Sequence, residues 1–229
     1  DKQEKPDVDD IKGLSPTIAI EQKNHTKNSR STVGTSTEIY DYLRLIFSKM
    51  GTMYSPESGR PVKRDLVANV STQLLGSHAG ARLYITFPSD FSAKSKVADR
   101  RRHLAQLLER GYSRAILSDE LKVAKPLEVF DIQEELAKKS SPIFGKAAKA
   151  HQIFVVSDRS TLDADNRGRI ENAVASSYSE GFGRCSCFLI DEDSNLTAWE
   201  KFTEYPSTGE DEKRYPDLTP LLFSFNSPM

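Results

Sequence analysis

The residue types that carry most enzyme chemistry are sparse in this sequence. Of 229 residues, two are Cys and four are His, and the histidines show no spacing typical of metal ligands. Cys185 and Cys187 are one residue apart in an apolar, strand-like stretch, so both thiols should lie on one face. Cysteines that close on one strand are poorly placed to bond each other. We therefore expect them to pack in the core, and we find no nucleophile–base arrangement.

The motifs of a complete ATPase site are also missing. The sequence has no G-x-x-x-x-G-K-[ST] loop to hold phosphates with backbone N–H groups, and no Leu-Ser-Gly-Gly signature. We identify no apolar strand that ends in an acidic pair for a metal ion. This chain alone is therefore expected not to hydrolyse ATP.

The charge balance argues against a free-standing nucleic-acid-binding module. With 32 basic and 33 acidic residues the formal net charge is −1, whereas such modules usually carry a basic excess. The basic run Arg100–His103 lies on a predicted helix, where it could contact phosphates or form a solvated helix face, and we favour the solvated face. Hydrophobic residues make up 37% of the chain, which predicts a folded core. We find no apolar run long enough to span a membrane, and we expect a cytoplasmic protein.

Hydrophobic periodicity predicts alternating short strands and helices. Thr35 and Glu38 have the spacing of a capping box before a helix that Gly51 ends. Helices are predicted near residues 66–74, 97–108 and 170–178, and strands near 17–20, 83–87, 112–117, 127–130, 153–156, 185–190 and 196–202. Because this order lacks a strict βαβ rhythm, we predict an α+β fold over about residues 51–200. Trp199, on the last strand, is expected in a core or an interface. A late apolar run over residues 221–226 needs a partner surface.

Two segments go beyond such patterns. The first runs over residues 5–45 and includes Ile20-Glu21-Gln22-Lys23 and Arg30-Ser31-Thr32-Val33-Gly34-Thr35; the second is Pro220-Leu221-Leu222-Phe223-Ser224-Phe225-Asn226-Ser227-Pro228. The first resembles the stretch that follows the first phosphate-binding loop in the UvrA family of the UvrABC excinuclease. The second resembles the segment that leads into a zinc-binding turn of that family. Both occur in the family's order with a plausible spacing.

The resemblance implies an internal fragment of a DNA-damage-recognition ATPase of nucleotide excision repair. Residues 1–50 would belong to the ABC-type ATPase region, residues 51–200 to a mixed α/β insertion domain that docks UvrB, and residues 201–229 to a return segment. Gln22 matches the Q-loop glutamine, whose neutral amide can reach both the metal shell and the water near a γ-phosphate. ATP, Mg²⁺, a UvrA homodimer and damaged double-stranded DNA are expected for the full-length parent.

Two arginines are implicated in docking by the same resemblance. Gly111-Tyr112-Ser113-Arg114 and Val155-Val156-Ser157-Asp158-Arg159 are similar to two family elements. The resemblance implies that Arg114 and Arg159 pair with acidic residues of UvrB. The residues alone also permit two solvated surface arginines, or an Arg159 tied to Asp158. An extra stretch over residues 131–144 departs from the family pattern.

The chain also departs from the family at its metal ligands. Family members carry Cys pairs where this sequence reads Tyr205-Pro206-Ser207-Thr208-Gly209, and often Cys or His where it reads Ser55-Pro56-Glu57-Ser58-Gly59. Hydroxyl groups are poor zinc ligands, so we predict that no zinc is bound. The same losses leave an alternative open, a divergent UvrA-like ATPase that no longer loads UvrB.

Overall fold

A six-stranded sheet lies at the centre of the molecule. The computed structural model describes residues 7–10, 12–13, 18, 33–89, 96–117, 123–141, 143–144, 152–209 and 213–224. The strands are β1 (Arg82–Pro88), β2 (Arg114–Leu117), β3 (Phe130–Asp131), β4 (Ile153–Thr161), β5 (Arg184–Ile190) and β6 (Leu196–Thr203). Their order in the sheet is β3-β2-β4-β1-β5-β6, and every strand pairing among the described residues is antiparallel. The predicted α+β class is confirmed.

Four of the helices cover one face of this sheet. The helices are α1 (Val33–Ser36), α2 (Ile39–Met50), α3 (Val67–Ser77), α4 (Val97–Glu109), α5 (Ile132–Ala137) and α6 (Arg167–Glu180), with a 3₁₀ turn at Pro220–Phe223. Successive strand residues point to opposite faces, so Leu83, Ile85 and Phe87 of β1 all face the helices. Helices α3 and α6 pack around Leu83 and Ile85, and α4 and α5 pack around Phe87. We call this the helix face and its opposite the open face, although the segment with Leu127 and Val129 covers the centre of the open face.

Both cysteines lie in the helix-face core, as predicted. Cys185 and Cys187 are free and fully buried beside Leu83, Ile85 and Tyr178. The hairpin formed by β5 and β6 is confirmed too, with residues 191–195 between the strands. Each fully buried aliphatic or aromatic side chain in this layer stabilises the fold by roughly 1.5–3 kcal/mol.

The predicted capping box is wrong. Glu38 adopts the left-handed region, with φ of 61°, and is the N-cap of α2 without a side-chain hydrogen bond. The helix is therefore interrupted at Thr37 and Glu38, and α1 and α2 are separate. Spacing identified two suitable residue types, but a capping box also requires an extended N-cap backbone, which the sequence does not reveal.

The basic run Arg100–His103 was expected to form a solvated helix face, and this expectation is wrong for Arg100 and Arg101. Arg100 is only 1% exposed, because α4 packs this side under the sheet. Arg101 donates to the carbonyl oxygens of Leu136 and Lys138, and its guanidinium carbon lies 4.6 Å from the Phe144 ring centroid. Arg102 remains exposed. The run therefore joins α4 to α5 and the segment that follows, and Arg100 and Arg101 are not available to phosphates.

The late apolar run meets α2. Tyr40 donates to the carbonyl oxygen of Phe223, Arg44 Nε donates to that of Pro220 at 2.9 Å, and the Phe47 and Phe223 rings are 6.1 Å apart. The apolar face of α2 nevertheless stays exposed, from 44% at Leu43 to 81% at Met50. No helix among the described residues is long and apolar enough to cross a membrane. The predicted division at residues 50 and 200 stays a prediction.

Close packing at the end of α6 gives a stability test. A Cβ on Gly181 would lie 2.4 Å from the carbonyl oxygen of Arg184 and 2.9 Å from Cβ of Phe87. We expect Gly181→Ala to lower the free energy of unfolding by about 1–3 kcal/mol, as over-packed cores do. Gly168, in the same helix, has no heavy atom within 4 Å of its Cβ position. Gly168→Ala should therefore be neutral or stabilising by up to about 1 kcal/mol. Urea unfolding of both variants checks this, and equal effects would contradict it.

Candidate functional site

Arg114 and Arg159 both lie on the open face of the sheet. Arg114 is the first residue of β2, and the next-but-one residue, Ile116, packs in the open-face cluster. Arg159 lies opposite Tyr84 of β1, and its guanidinium carbon is 5.6 Å from the Tyr84 ring centroid. Both arginines are exposed. The fold therefore places the two predicted docking residues on one surface, although they do not contact each other.

A β-bulge decides the orientation of Arg159. Ile85 pairs with Asp158 and Thr86 pairs with Val156, so Ser157 is an extra residue in β4. Val156 faces the open side, and strict alternation from it would turn Arg159 toward the helices. The extra residue reverses that phase beyond the bulge. Arg159 thereby reaches the open face, three residues after Val156.

The register gives the separation of the two arginines. Ala115 pairs with Val155, so Arg114 is level with Val156 on the neighbouring strand. Arg159 lies two ladder positions further on, about 7 Å along the sheet and about 4.8 Å across it. Acidic segments of a partner can span both positions. Among the described residues, neither arginine forms an ion pair, so both guanidinium groups are available.

Asp158 is engaged elsewhere. Its carboxylate accepts two hydrogen bonds from Arg169 of α6, at 2.6 and 2.7 Å, and the contact raises the pKa of Arg169. Because Asp158 and Arg159 are consecutive in β4, their side chains leave on opposite faces. The alternative in which Asp158 neutralises Arg159 is therefore wrong.

Three aromatic side chains pack against one another on the open face. The Phe154 and Phe188 rings lie 5.2 Å apart, and Trp199 lies 5.7 and 5.5 Å from them. Trp199 is 36% exposed, and Lys201 Nζ lies 4.6 Å from its centroid. Trp199 was expected in a core or an interface, whereas Lys201 was not singled out from the sequence. The period of two along β6 was a signal that could have grouped them.

Charge on the open face is unevenly distributed. The strand positions on this face carry five cations, Arg82, Arg114, Arg159, Arg184 and Lys201, and one acid, Asp131, which lies opposite Arg114. An acidic turn, Asp191–Asp193, lies beside Arg82, which donates to the Asp191 carbonyl oxygen. The Asn195 side chain and backbone N–H lower the pKa of Asp191, so this carboxylate stays ionised at neutral pH. The surface is thus a basic sheet with an acidic border.

One apolar strand is followed by an acidic pair. Strand β5 is apolar and is followed directly by Asp191 and Glu192. Asp191 is committed to the turn, where it accepts from the Asn195 N–H at 2.7 Å and from Asn195 Nδ2 at 2.9 Å. Among the described residues, no three His, Cys, Asp or Glu side chains are grouped so as to hold a metal. The pair therefore builds a hairpin turn.

The two turns that lack cysteines do not fit zinc. Ser55 and Ser207 are 2% and 3% exposed. Ser55 Oγ accepts from the N–H groups of Glu57 and Ser58 and lies 2.9 Å from Tyr215 Oη. Hydroxyls that already hold backbone N–H groups do not supply the thiolates or imidazoles of a structural zinc site.

Hydrogen bonds join these turns instead. Ser207 Oγ lies 2.7 Å from Thr203 Oγ1 and accepts from the Gly209 N–H. Tyr215 donates its N–H to the Pro206 carbonyl and reaches Ser55 through its side chain, so it connects one turn to the other. Gln22, the expected Q-loop residue, lies outside the described residues, as does the strand predicted over residues 17–20 apart from Ile18.

The chain is similar in sequence to known proteins that all carry the same name. No protein-family model matches the chain. The UvrABC system protein A of Helicobacter pylori (strain J99) is 32% identical over 228 residues, which is 100% of this chain and 22% of that protein. Its counterpart in Streptomyces coelicolor is 33% identical over 99% of this chain and 21% of its own length, and that of Thermus thermophilus is 35% identical over 98% and 22%. The chain spans about 22% of the length of the curated relatives it matches.

The buried thiols should be inert. Hydrogen bonding with Cys185 and burial in the core raise the pKa of Cys187, and the thiolate is the reactive form. We expect a disulfide reagent that absorbs on thiol release to label neither cysteine in the folded protein and both in guanidinium chloride. Fast labelling of one thiol in the folded protein would contradict this burial.

Tyr215 should stabilise the joined turns without metal. Tyr215→Phe removes the hydrogen bond to Ser55, and we expect it to lower the free energy of unfolding by about 1 kcal/mol. Tyr42→Phe is the matched control, because Tyr42 is exposed and its hydroxyl makes no hydrogen bond within the described residues. A chelator should leave the wild-type unfolding temperature unchanged. A fall in that temperature with chelator would show a structural metal.

Proposed function

The chain belongs to the UvrA family, and from this premise we propose that its sheet domain docks UvrB during nucleotide excision repair. In this proposal the domain is an adaptor. It brings the helicase-like partner to a UvrA dimer on damaged DNA in the cytoplasm. ATP turnover with Mg²⁺ takes place in other parts of the full-length protein, to which this chain contributes Gln22 at most.

The placement of Arg114 and Arg159 is the observation that carries the proposal. Both are exposed on the open face, one strand apart, and neither has an ion-pair partner in the described part of the chain. A guanidinium group binds a carboxylate through two parallel hydrogen bonds, which fixes orientation as well as attraction. Two such groups on a rigid sheet can set the register of an acidic partner surface.

The surrounding surface supports a protein partner. Trp199 supplies exposed aromatic area, in which interface hot spots are rich, and Arg159 lies against the buried Tyr84 ring. A net charge of −1 and the acidic turn beside Arg82 oppose general attraction to DNA. The rival function, a divergent UvrA-like ATPase that no longer loads UvrB, draws only on the changed turns at Ser55 and Ser207.

Binding to the cognate UvrB tests the docking role. We expect isothermal calorimetry to detect binding by the 229-residue chain. The Arg114→Ala, Arg159→Ala double variant should weaken it at least about tenfold, or roughly 1.4 kcal/mol. Arg102→Ala, an exposed arginine on the helix side of the sheet, should bind like the wild type.

Two outcomes would contradict the predicted docking role. A folded wild-type chain that does not bind UvrB would remove the adaptor function and favour the divergent ATPase. Equal weakening by Arg102→Ala and by the double variant would show that general charge, and not the two named positions, drives association.

A further inference from the structure

A hollow at the end of β4 gathers three arginines. It has a volume of about 250 Å³ and is lined by Arg82, Arg159, Ser160, Thr161, Asn166 and Arg169. Arg82 is level with Thr161, two residues beyond Arg159, so Arg82 and Arg159 are diagonal neighbours on adjacent strands. Arg169 enters from the first turn of α6. Residues far apart in the sequence thus meet where β4 turns into α6.

Each arginine is held in place by a neighbour. Arg169 is fixed by its two hydrogen bonds to Asp158, and its Nη2 also donates to the Arg159 carbonyl oxygen at 3.0 Å. Arg82 donates to the Asp191 carbonyl oxygen, and Arg159 lies against the Tyr84 ring. Side chains fixed in this way lose little rotamer freedom when a ligand arrives.

The hollow keeps unused N–H donors and uncompensated positive charge. A guanidinium group has five N–H donors; Arg82 uses one nitrogen in its bond to Asp191, and Arg169 uses two nitrogens in its bonds to β4. None of the described residues that line the hollow is acidic; Asp158 pairs with Arg169, and the Asp191 carboxylate interacts with the charge of Arg82, which leaves an excess of one positive charge. The Asn166 side chain does not reduce this charge, because it is neutral and bonded to Thr161 and Asp163.

The hollow does not accept an added strand. Pairing between β2 and β4 stops at Val155, which leaves the far end of β4 without a neighbouring strand on that side among the described residues. Arg169 and Asn166, however, already donate to the carbonyl oxygens of Arg159 and Thr161. A side chain that enters the hollow fits these contacts better than a backbone that pairs along the edge.

We propose that this hollow binds a single Asp or Glu side chain of the docked protein partner, with Arg82 and Arg169 acting beside Arg159. The inference rests on the docking function proposed above and deepens it. A carboxylate matches the guanidinium fork in size and charge. Its position would also fix the partner along β4, while Arg114 fixes it across the sheet.

The acidic surroundings favour one carboxylate over a nucleic-acid backbone. Asp163 and Asp165 precede α6, and the Asp191–Asp193 turn lies beside Arg82. DNA carries a negative charge about every 1.7 Å of helix axis, so a phosphate in the hollow would bring its neighbours against these acids. A lone side chain on a protein surface avoids that repulsion.

Arg82 gives the test, because the docking prediction does not involve it. In calorimetry with UvrB, Arg82→Gln should weaken binding by about fivefold or more, the effect of losing one charged partner. Arg82→Lys keeps the charge but loses the fork, and we expect an intermediate affinity. Arg102→Gln is the matched control and should bind like the wild type. Thermal unfolding establishes whether each variant is folded. If Arg82→Gln is not folded, the affinity of Arg82→Lys for UvrB decides whether Arg82 takes part in binding.

The outcomes separate the two proposals. If the Arg114→Ala, Arg159→Ala variant binds weakly while Arg82→Gln and Arg82→Lys bind like the wild type, the carboxylate hollow is overturned and the docking role stands. If the folded wild type does not bind UvrB, both fall. If Arg82→Gln weakens binding to a short DNA duplex and leaves UvrB binding unchanged, the hollow is a phosphate site and the inference is overturned.

Discussion

This structure depends on one constraint. Successive side chains of each strand alternate between the two faces of an antiparallel sheet, and helices cover one of those faces. Strand β1 is paired on both sides, by β4 and β5, so its residues have no choice of face. Leu83, Ile85 and Phe87 go to the helices, and Arg82 and Tyr84 go to the open face. Burial of the first set stabilises the fold, and it fixes the positions of the second set on the other face.

The bulge at Ser157 modifies that constraint at one point. It turns both Ser157 and Asp158 toward α6, where Ser157 Oγ donates to the Ala173 carbonyl oxygen and Asp158 binds Arg169. It also turns Arg159 outward. A single extra residue therefore anchors the helix and presents the arginine, which is a common use of bulges near functional surfaces.

Hydrogen bonds hold the two serine-containing turns together. Tyr215 links them by its backbone N–H and its hydroxyl, and each serine hydroxyl serves backbone N–H groups of its own turn. Such contacts contribute about 1 kcal/mol each, far less than a structural zinc ion, so several are needed. The described residues show several, together with the backbone pairing of Lys63 with Ser207.

The sequence by itself determined the family, the α+β class, the positions of most strands and helices, and the burial of Cys185 and Cys187. The family follows from the resemblance of two segments, and the other features follow from periodicity and residue type, which act locally along the chain. It did not determine the break at Glu38, because left-handed backbone at a non-glycine residue leaves no spacing signal. It also did not predict the burial of Arg100, since a basic run looks solvated until a helix packs.

Only the tertiary structure decided which face Arg159 takes and which residues surround it. The bulge appears only when β1 and β4 are paired, because the extra residue is defined by its missing partner. The meeting of Arg82, Arg159 and Arg169 likewise depends on one strand pairing and one helix docking. Such contacts join positions up to 87 residues apart along the chain, from Arg82 to Arg169, and local sequence pattern carries no information about them.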